Sequence, residues 1–476
     1  MSELWDHQTK LLTDIRAALA HPEHSCVAAM PTGAGKSRVM TTMLEGAYRK
    51  NNPALITVPS QEILEQFTDS IGVPVEVLRS GKRPDLSRAL AVVAMCQTLA
   101  RRDVTWPVRL ILDDEIHRNT DQRIAIAAKL GAAYRVGFTA TPSRLAGTPL
   151  TAYSPHLVLG PQVPDLQALG LLSPTVTFRG PSPSLQGIKK VAGDYSPQGL
   201  QQAHRPASLI GEVPKWLKHW GTGRRIIGFS TGVEHSADLV AACGAAGLRT
   251  TAIDGNTPSL DRRAALDALR AGALDALWNC MLLVEGLNLV ECDAVSLNFS
   301  TLSVDKYMQA VGRCLRMSPH TGKVNAHIYD FGGNSFPERH GLVDQPRDWE
   351  QGGKVATAKG APGLRTCEEC LALWLGPPVC PRCGHVREAE GRDLPRMVVG
   401  EMAPVVSKAE LERLAVAGSR ATSPRPCPSW AATDADLWTR LERKRQKEGY
   451  ALGDGSRAHP GWTAVAWQRI KSRAQA

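Results

Sequence analysis

The chain has 476 residues, with 56 Lys and Arg against 46 Asp and Glu, a formal net charge of +10 and a pI near 9.1. A hydrophobic fraction of 43% is enough for real cores, and the length suggests about three domains of ordinary size. No apolar run approaches the ~20 residues that span a bilayer, the opening MSELWDHQTK has no signal-peptide core, and the basic balance favours a polyanionic partner.

The first element in chain order is an apolar run over 26–30, which reads as a buried strand, followed by a helix over 38–48. Between them stands PTGAGKS: Pro31, Thr32, Gly33, Ala34, Gly35, Lys36 and Ser37. Strand, glycine turn and helix in that order aim backbone N–H groups and a helix N-terminus at phosphate oxygens. Glycine permits an approach that a Cβ would block. Lys36 would reach the β- and γ-phosphates of ATP, and the Ser37 hydroxyl would hold Mg²⁺. Further strands are expected at ALITVPS, RALAVVAM, RLILDDE and YRVGFTA, with helices over 61–70 and 122–130.

The segment LILDDEIHR, 110–118, is an apolar strand ending in carboxylates. Asp114 would bind Mg²⁺, and Glu115 would orient and deprotonate the attacking water. His117 would link this site to a partner lobe. Residues 143–206 then break the rhythm with Pro, Gly, Ser and Gln and read as a connector. Strands resume at RRIIGFS, RTTAID, DALWNC and DAVSLNF, with helices over 233–246 and 261–271. Repeated β-α-β order implies α/β architecture with parallel sheets, and two sheets in tandem fit better than one.

After a second Gly- and Pro-rich break come Cys367-x-x-Cys370 and Cys380-x-x-Cys383. Four thiolates at this spacing suit a structural Zn²⁺ site, a small zinc ribbon over 362–390. The other cysteines of the 11 are mostly scattered in apolar surroundings, as in a reducing cytoplasm. The tail, 400–476, is expected to be mainly helical. Arg440, Arg443, Lys444, Arg445 and Lys447 interleave with Trp430, Trp438, Tyr450, Trp462 and Trp467. Basic and aromatic residues together can bind phosphates and stack on bases, or form a solvated face over a small core.

Gln8 in LWDHQTK, PTGAGKS, LDDEIH, GFTATP and YMQAVGRCLRM stand in the order found in superfamily 2 helicases of the DEAH-like kind, which the chain resembles over about 4–332. The resemblance implies two RecA-like lobes, 1–145 and 207–335, joined by the connector 146–206. It gives Gln8 the adenine edge. It gives Thr139 and Thr141 the coupling of hydrolysis to strand handling. Gln309, Gly312, Arg313 and Arg316 match the second lobe's Q-x-x-G-R-x-x-R motif, with both arginines as fingers on the γ-phosphate. Independently, a phosphoryl-transfer site needs positive charge opposite the cation, and the first lobe supplies only Lys36.

The same resemblance assigns strand contacts to Pro59 and Ser60, to Gln97, Thr98 and Arg101, and to Ser230 and Thr231. Taken singly, each of these segments reads sooner as an ordinary turn than as a strand contact. The family's G-x-D is Gly286-Leu287-Asn288 here, and Val284 stands where Thr is common. The order of lobes and cysteine unit resembles RadD-like proteins, a bacterial and phage branch linked to DNA repair, whose zinc region is generally longer. The resemblance implies an ATP-dependent helicase or translocase acting on single-stranded or branched DNA, with a protein partner possible through ribbon or tail. An RNA helicase, a duplex translocase subunit of a restriction or repair complex, and a poorly coupled nucleic-acid clamp stay open beside it.

Overall fold

The structure is a computed structural model describing residues 4–79, 81, 86–102, 106–143, 147–280, 289–336 and 339–349, with short strands at 356–357, 364–366, 373–375 and 404–406. The expected zinc cysteines, Gly286, Asn288 and nearly all of the tail lie outside the described residues.

The first lobe opens with helix α1 (Asp6–Leu19) and strand β1 (Ser25–Ala29), then α2 (Lys36–Arg49), β2 (Ala54–Val58), α3 (Gln61–Ser70), β3 (Glu76–Leu78) and β4 (Ala91–Met95). Next come α4 (Cys96–Ala100), β5 (Leu110–Asp113), α5 (Thr120–Leu130) and β6 (Tyr134–Thr139). Its parallel sheet has the order β3-β4-β2-β5-β6-β1, completed by β7 (Leu157–Leu159). The central strands are buried on both faces, which is why they read as unbroken apolar runs rather than alternating ones.

The expected connector is more than a connector. It gives β7 to the first sheet and, after α6 (Val163–Ala168), gives β8 (Thr175–Arg179) to the second. A small hairpin follows, β9 (Lys190–Val191) and β10 (Asp194–Tyr195), then α7 (Pro197–His204) and α8 (Ala207–Trp220). Both β7 and β8 are short and sit among prolines and glycines, so composition hides them.

The second lobe runs β11 (Ile226–Ser230), α9 (Val233–Ala245), β12 (Thr250–Ile253), α10 (Ser259–Arg270), β13 (Ala276–Asn279), β14 (Ala294–Asn298), α11 (Val304–Gly312) and β15 (Ala326–Asp330). Its sheet order is β12-β13-β11-β14-β15-β8, all parallel, with Pro404–Val406 added antiparallel to β8. That added strand is the described part of the region expected to be helical. Among the described residues no helix is long and apolar enough to cross a membrane.

Candidate nucleotide site at the seam of two lobes

In a parallel sheet, ligands gather at the carboxyl ends of the strands. The phosphate loop follows β1, the acidic motif follows β5, and Thr139 to Thr141 follow β6, which lies between them. Gly33 and Gly35 both take φ of +89°, a left-handed conformation that favours glycine. A Cβ at Gly33 would stand 3.0 Å from Leu172, and one at Gly35 would collide with the Gln8 amide. Gly35 caps α2 without a side-chain bond to the first helical amides, as at an anion-binding helix N-terminus. Lys36 is buried and donates to the Met30 carbonyl at 3.0 Å, while Ser37 is exposed in the first helical turn.

Gln8 is buried beside the loop. Its amide nitrogen donates to the Ala34 carbonyl at 3.2 Å, and its oxygen accepts from the Trp5 N–H at 3.1 Å. Its observed contacts therefore brace the phosphate loop from behind. Pro31 and Thr32 lead into the turn, and Thr32 packs against Gly312 of the second lobe, where an added Cβ would stand 2.9 Å away.

On the acid side, the Asp114 N–H donates to the Thr57 carbonyl at 2.9 Å, and the Ile116 N–H to the Phe138 carbonyl at 2.9 Å. Glu115 between them has φ of +49°, a backbone state costing about 1 kcal/mol for a non-glycine residue. Its Oε2 is enclosed, lies 3.3 Å from the His117 ring nitrogen Nδ1 and makes no hydrogen bond within the protein. Burial, with the like charge of Glu115 beside it, pushes the Asp114 carboxyl up; Lys36 works against this. Burial would raise Glu115 as well, but Lys36, His117 and Arg313 outweigh it and hold that carboxyl below its ordinary value. An enclosed carboxylate oxygen with no hydrogen bond, a loop that a Cβ would fill and two carboxylates near a lysine fit a triphosphate with its divalent cation.

The second lobe closes the site. Gln309 on α11 lies 3.2 Å from the His117 ring nitrogen Nε2 and donates to Asp305 at 3.1 Å. The other ring nitrogen meets the Thr139 hydroxyl at 3.0 Å, and that hydroxyl also contacts the Thr141 backbone. Thr141 in turn donates its hydroxyl to Asp305. One chain of polar contacts thus joins the acidic motif, the β6 turn and α11. Arg313 is buried in the charge environment of Glu115, and Arg316 packs on Gly33 with its own pKa lowered by burial. The five groups of the expected catalytic set, Lys36, Asp114, Glu115, Arg313 and Arg316, lie around one seam.

Two matches bear on identity. Residues 1–144 match the family model for the type III restriction enzyme res subunit, and residues 208–318 match that for the helicase conserved C-terminal domain. The chain belongs to helicase superfamily 2. A 51.5 kDa protein of a Lactococcus phage (isolate 7-9) is 28% identical over 370 residues, 75% of this chain and 76% of the relative. The candidate ATP-dependent helicase IRC3 of Saccharomyces cerevisiae is 24% identical over 67% of this chain, which spans 49% of that relative. Among solved structures, a fragment of a candidate HsdR subunit of a type I restriction enzyme from Vibrio vulnificus YJ016 shares the fold. Its TM-score is 0.56 at 18% identity, over 71% of this chain and 66% of that one. The DNA-bound type ISP restriction-modification enzyme LlaBIII matches with a TM-score of 0.50 at 15% identity, over 69% of this chain and 27% of that one.

Of the residues expected to touch a nucleic-acid strand, those of the first lobe lie at the same carboxyl edge of its sheet, on the other half. Pro59 and Ser60 follow β2, where the Ser60 hydroxyl caps α3 by accepting from Ile63 N–H at 3.3 Å. Gln97 and Thr98 sit on α4, with Gln97 exposed and Arg101 at its C-terminal end exposed as well. Ser230 does not reach this surface. It is fully buried, with its hydroxyl bonded to Ser236 at 2.6 Å and to Gly232 at 3.0 Å, whereas the partly open Thr231 hydroxyl meets His235 at 2.9 Å. Asp305, which ties Thr141 to Gln309, was not expected from the sequence. Its signal was there, four residues before Gln309 on one helical face.

Proposed function

We propose that this chain is an ATP-dependent motor on DNA. It hydrolyses ATP between its two lobes and uses their relative motion to step along the strand or unwind it, in repair, recombination or replication. The observation that carries this reading is the Gln309–His117 contact at 3.2 Å, which joins α11 to the acidic motif across the seam. Lys36 binds the phosphates, Glu115 takes the proton of the attacking water, and Arg313 and Arg316 meet the charge that develops on the γ-phosphate. A divalent cation held by Ser37 and Asp114 would neutralise the bridging phosphate oxygens. Because the acid groups come from one lobe and the guanidinium groups from the other, the site is complete only when the lobes close.

DNA is preferred over RNA because the solved neighbours include a restriction-modification enzyme bound to DNA. The test is ATP turnover with no polynucleotide, single-stranded DNA, forked DNA and RNA, using Lys36→Ala as the blank. Stimulation by DNA supports the reading, stimulation by RNA alone moves it to an RNA helicase, and none leaves only the clamp. A second reading, translocation on duplex without strand separation, is favoured by the likeness to restriction subunits. Triplex displacement without strand displacement would identify it. The RadD-like assignment and the Zn²⁺ held by Cys367, Cys370, Cys380 and Cys383 remain part of the proposal. Metal analysis of the purified chain tests the latter.

A further inference from the structure

Directly behind the acidic motif, four polar side chains are sealed in the core of the first lobe. The Asp113 carboxylate receives Arg123 at 3.1 Å, the Tyr153 hydroxyl at 2.8 Å and the Thr57 hydroxyl. Arg123 also contacts the Thr57 hydroxyl and lies 3.4 Å from its carbonyl. All four residues are at most 1% exposed. They come from β2, β5, α5 and the stretch leading to β7, and Thr57 and Asp113 are paired in register.

A buried ion pair adds little to stability, because well-packed apolar residues of the same volume do as well or better. One nitrogen of Arg123 has no hydrogen-bond partner within the protein, which makes the arrangement less favourable still. What it does hold is the backbone entering Glu115. The Thr57 carbonyl that faces Arg123 is the one that accepts the Asp114 N–H. Glu115 follows in a left-handed conformation, and such a state persists only where its surroundings over-determine it.

We infer that Thr57, Asp113, Arg123 and Tyr153 are positioning residues that fix the strained turn aiming Glu115 at its water. The inference rests on the proposed hydrolysis of ATP. It also reaches further, since Thr57 lies two residues before Pro59 and Tyr153 belongs to the segment joining the lobes.

The test replaces the network by apolar groups of similar volume in the full chain: Thr57→Val, Asp113→Leu, Arg123→Met and Tyr153→Phe together. Melting temperature, affinity for a non-hydrolysable ATP analogue, and kcat and KM for ATP are measured against wild type. Melting is expected at or above wild type and analogue affinity within about twofold. The kcat is expected to fall about tenfold to a hundredfold, as for a group misplaced by an ångström. Thr57→Ser, which keeps the hydroxyl, should retain turnover where Thr57→Val loses it. A fourfold variant with kcat within about twofold of wild type overturns the inference. If that variant does not fold, Thr57→Val and Tyr153→Phe singly decide it, with unchanged turnover in both counting against. Wild type without any ATP turnover would instead sink the hydrolytic reading itself.

Discussion

The first lobe gathers several buried polar side chains along three neighbouring strand ends: Asp113 and Asp114 at the end of β5, Thr139 and Thr141 at the end of β6, Lys36 after β1. The second lobe buries its own as a web beneath two loops. Asp330 accepts from Gly332 N–H at 3.1 Å, from Ser335 N–H at 2.6 Å and from the Ser335 hydroxyl at 2.7 Å. Asn334 accepts from Thr301 N–H at 3.1 Å and donates to the Phe299 carbonyl at 2.7 Å, while His340 meets the Thr301 carbonyl at 3.0 Å. These bonds fix the loop from which α11 departs. Buried polarity in one lobe therefore gathers at strand ends on the seam, whereas in the other it holds the loop before the helix that meets that seam. The lobes are similar in fold and unequal in where they bury polar groups.

The largest test of that inequality is Arg313→Ala. Loss of a finger arginine should lower DNA-stimulated ATP turnover by about a thousandfold or more. A drop of less than about tenfold would mean that the second lobe brings no useful charge to the seam. Glu115→Gln comes next, with turnover reduced by about a hundredfold or more and binding of a non-hydrolysable analogue kept. Gln309→Ala removes the contact to His117. It should reduce stimulation by DNA about tenfold while leaving unstimulated turnover near wild type. Equal loss of both would make the contact structural rather than coupling.

The smallest effect per group is acid sensitivity of the second lobe. Burial first, helped by neighbouring positive charge, lowers His204 to about 3. His327 is lowered to about 3, and His235 and His340 to about 4, again chiefly by burial. A histidine with a depressed folded value is neutral in the fold and takes up a proton on unfolding. Its contribution is therefore complete above about pH 6.5 and lost as the pH falls toward the folded value. Each should lose about 1 kcal/mol by about pH 5.5 to 6, seen as a falling denaturant midpoint. His340→Gln should flatten that slope.

Most of the sheet was legible because central parallel strands carry unbroken apolar runs. The expected helix over 61–70 coincides with α3, and that over 233–246 with α9 to within a residue. The phosphate loop and acidic motif were legible because their groups are contiguous: a single strand end presents them. What composition concealed depends on distant partners. β8 pairs with β15, about 150 residues later, and Tyr153 packs with Val27, Ile116 and Leu150 while its hydroxyl meets Asp113. Ser230 shows the converse: a polar residue at a strand end looks outward in sequence and turned inward in space, because Ser236 in the following helix offered a partner.

The route of the chain through β8 has a practical consequence for dissecting the molecule. A fragment starting at residue 207 would lack the strand that covers β15, leaving a row of unpaired amides ready to aggregate. One starting near residue 170 keeps that edge closed. The boundary at which the second helicase family match begins is thus not a boundary of independent folding, and swapping this lobe between relatives should carry along the stretch from β8 onward.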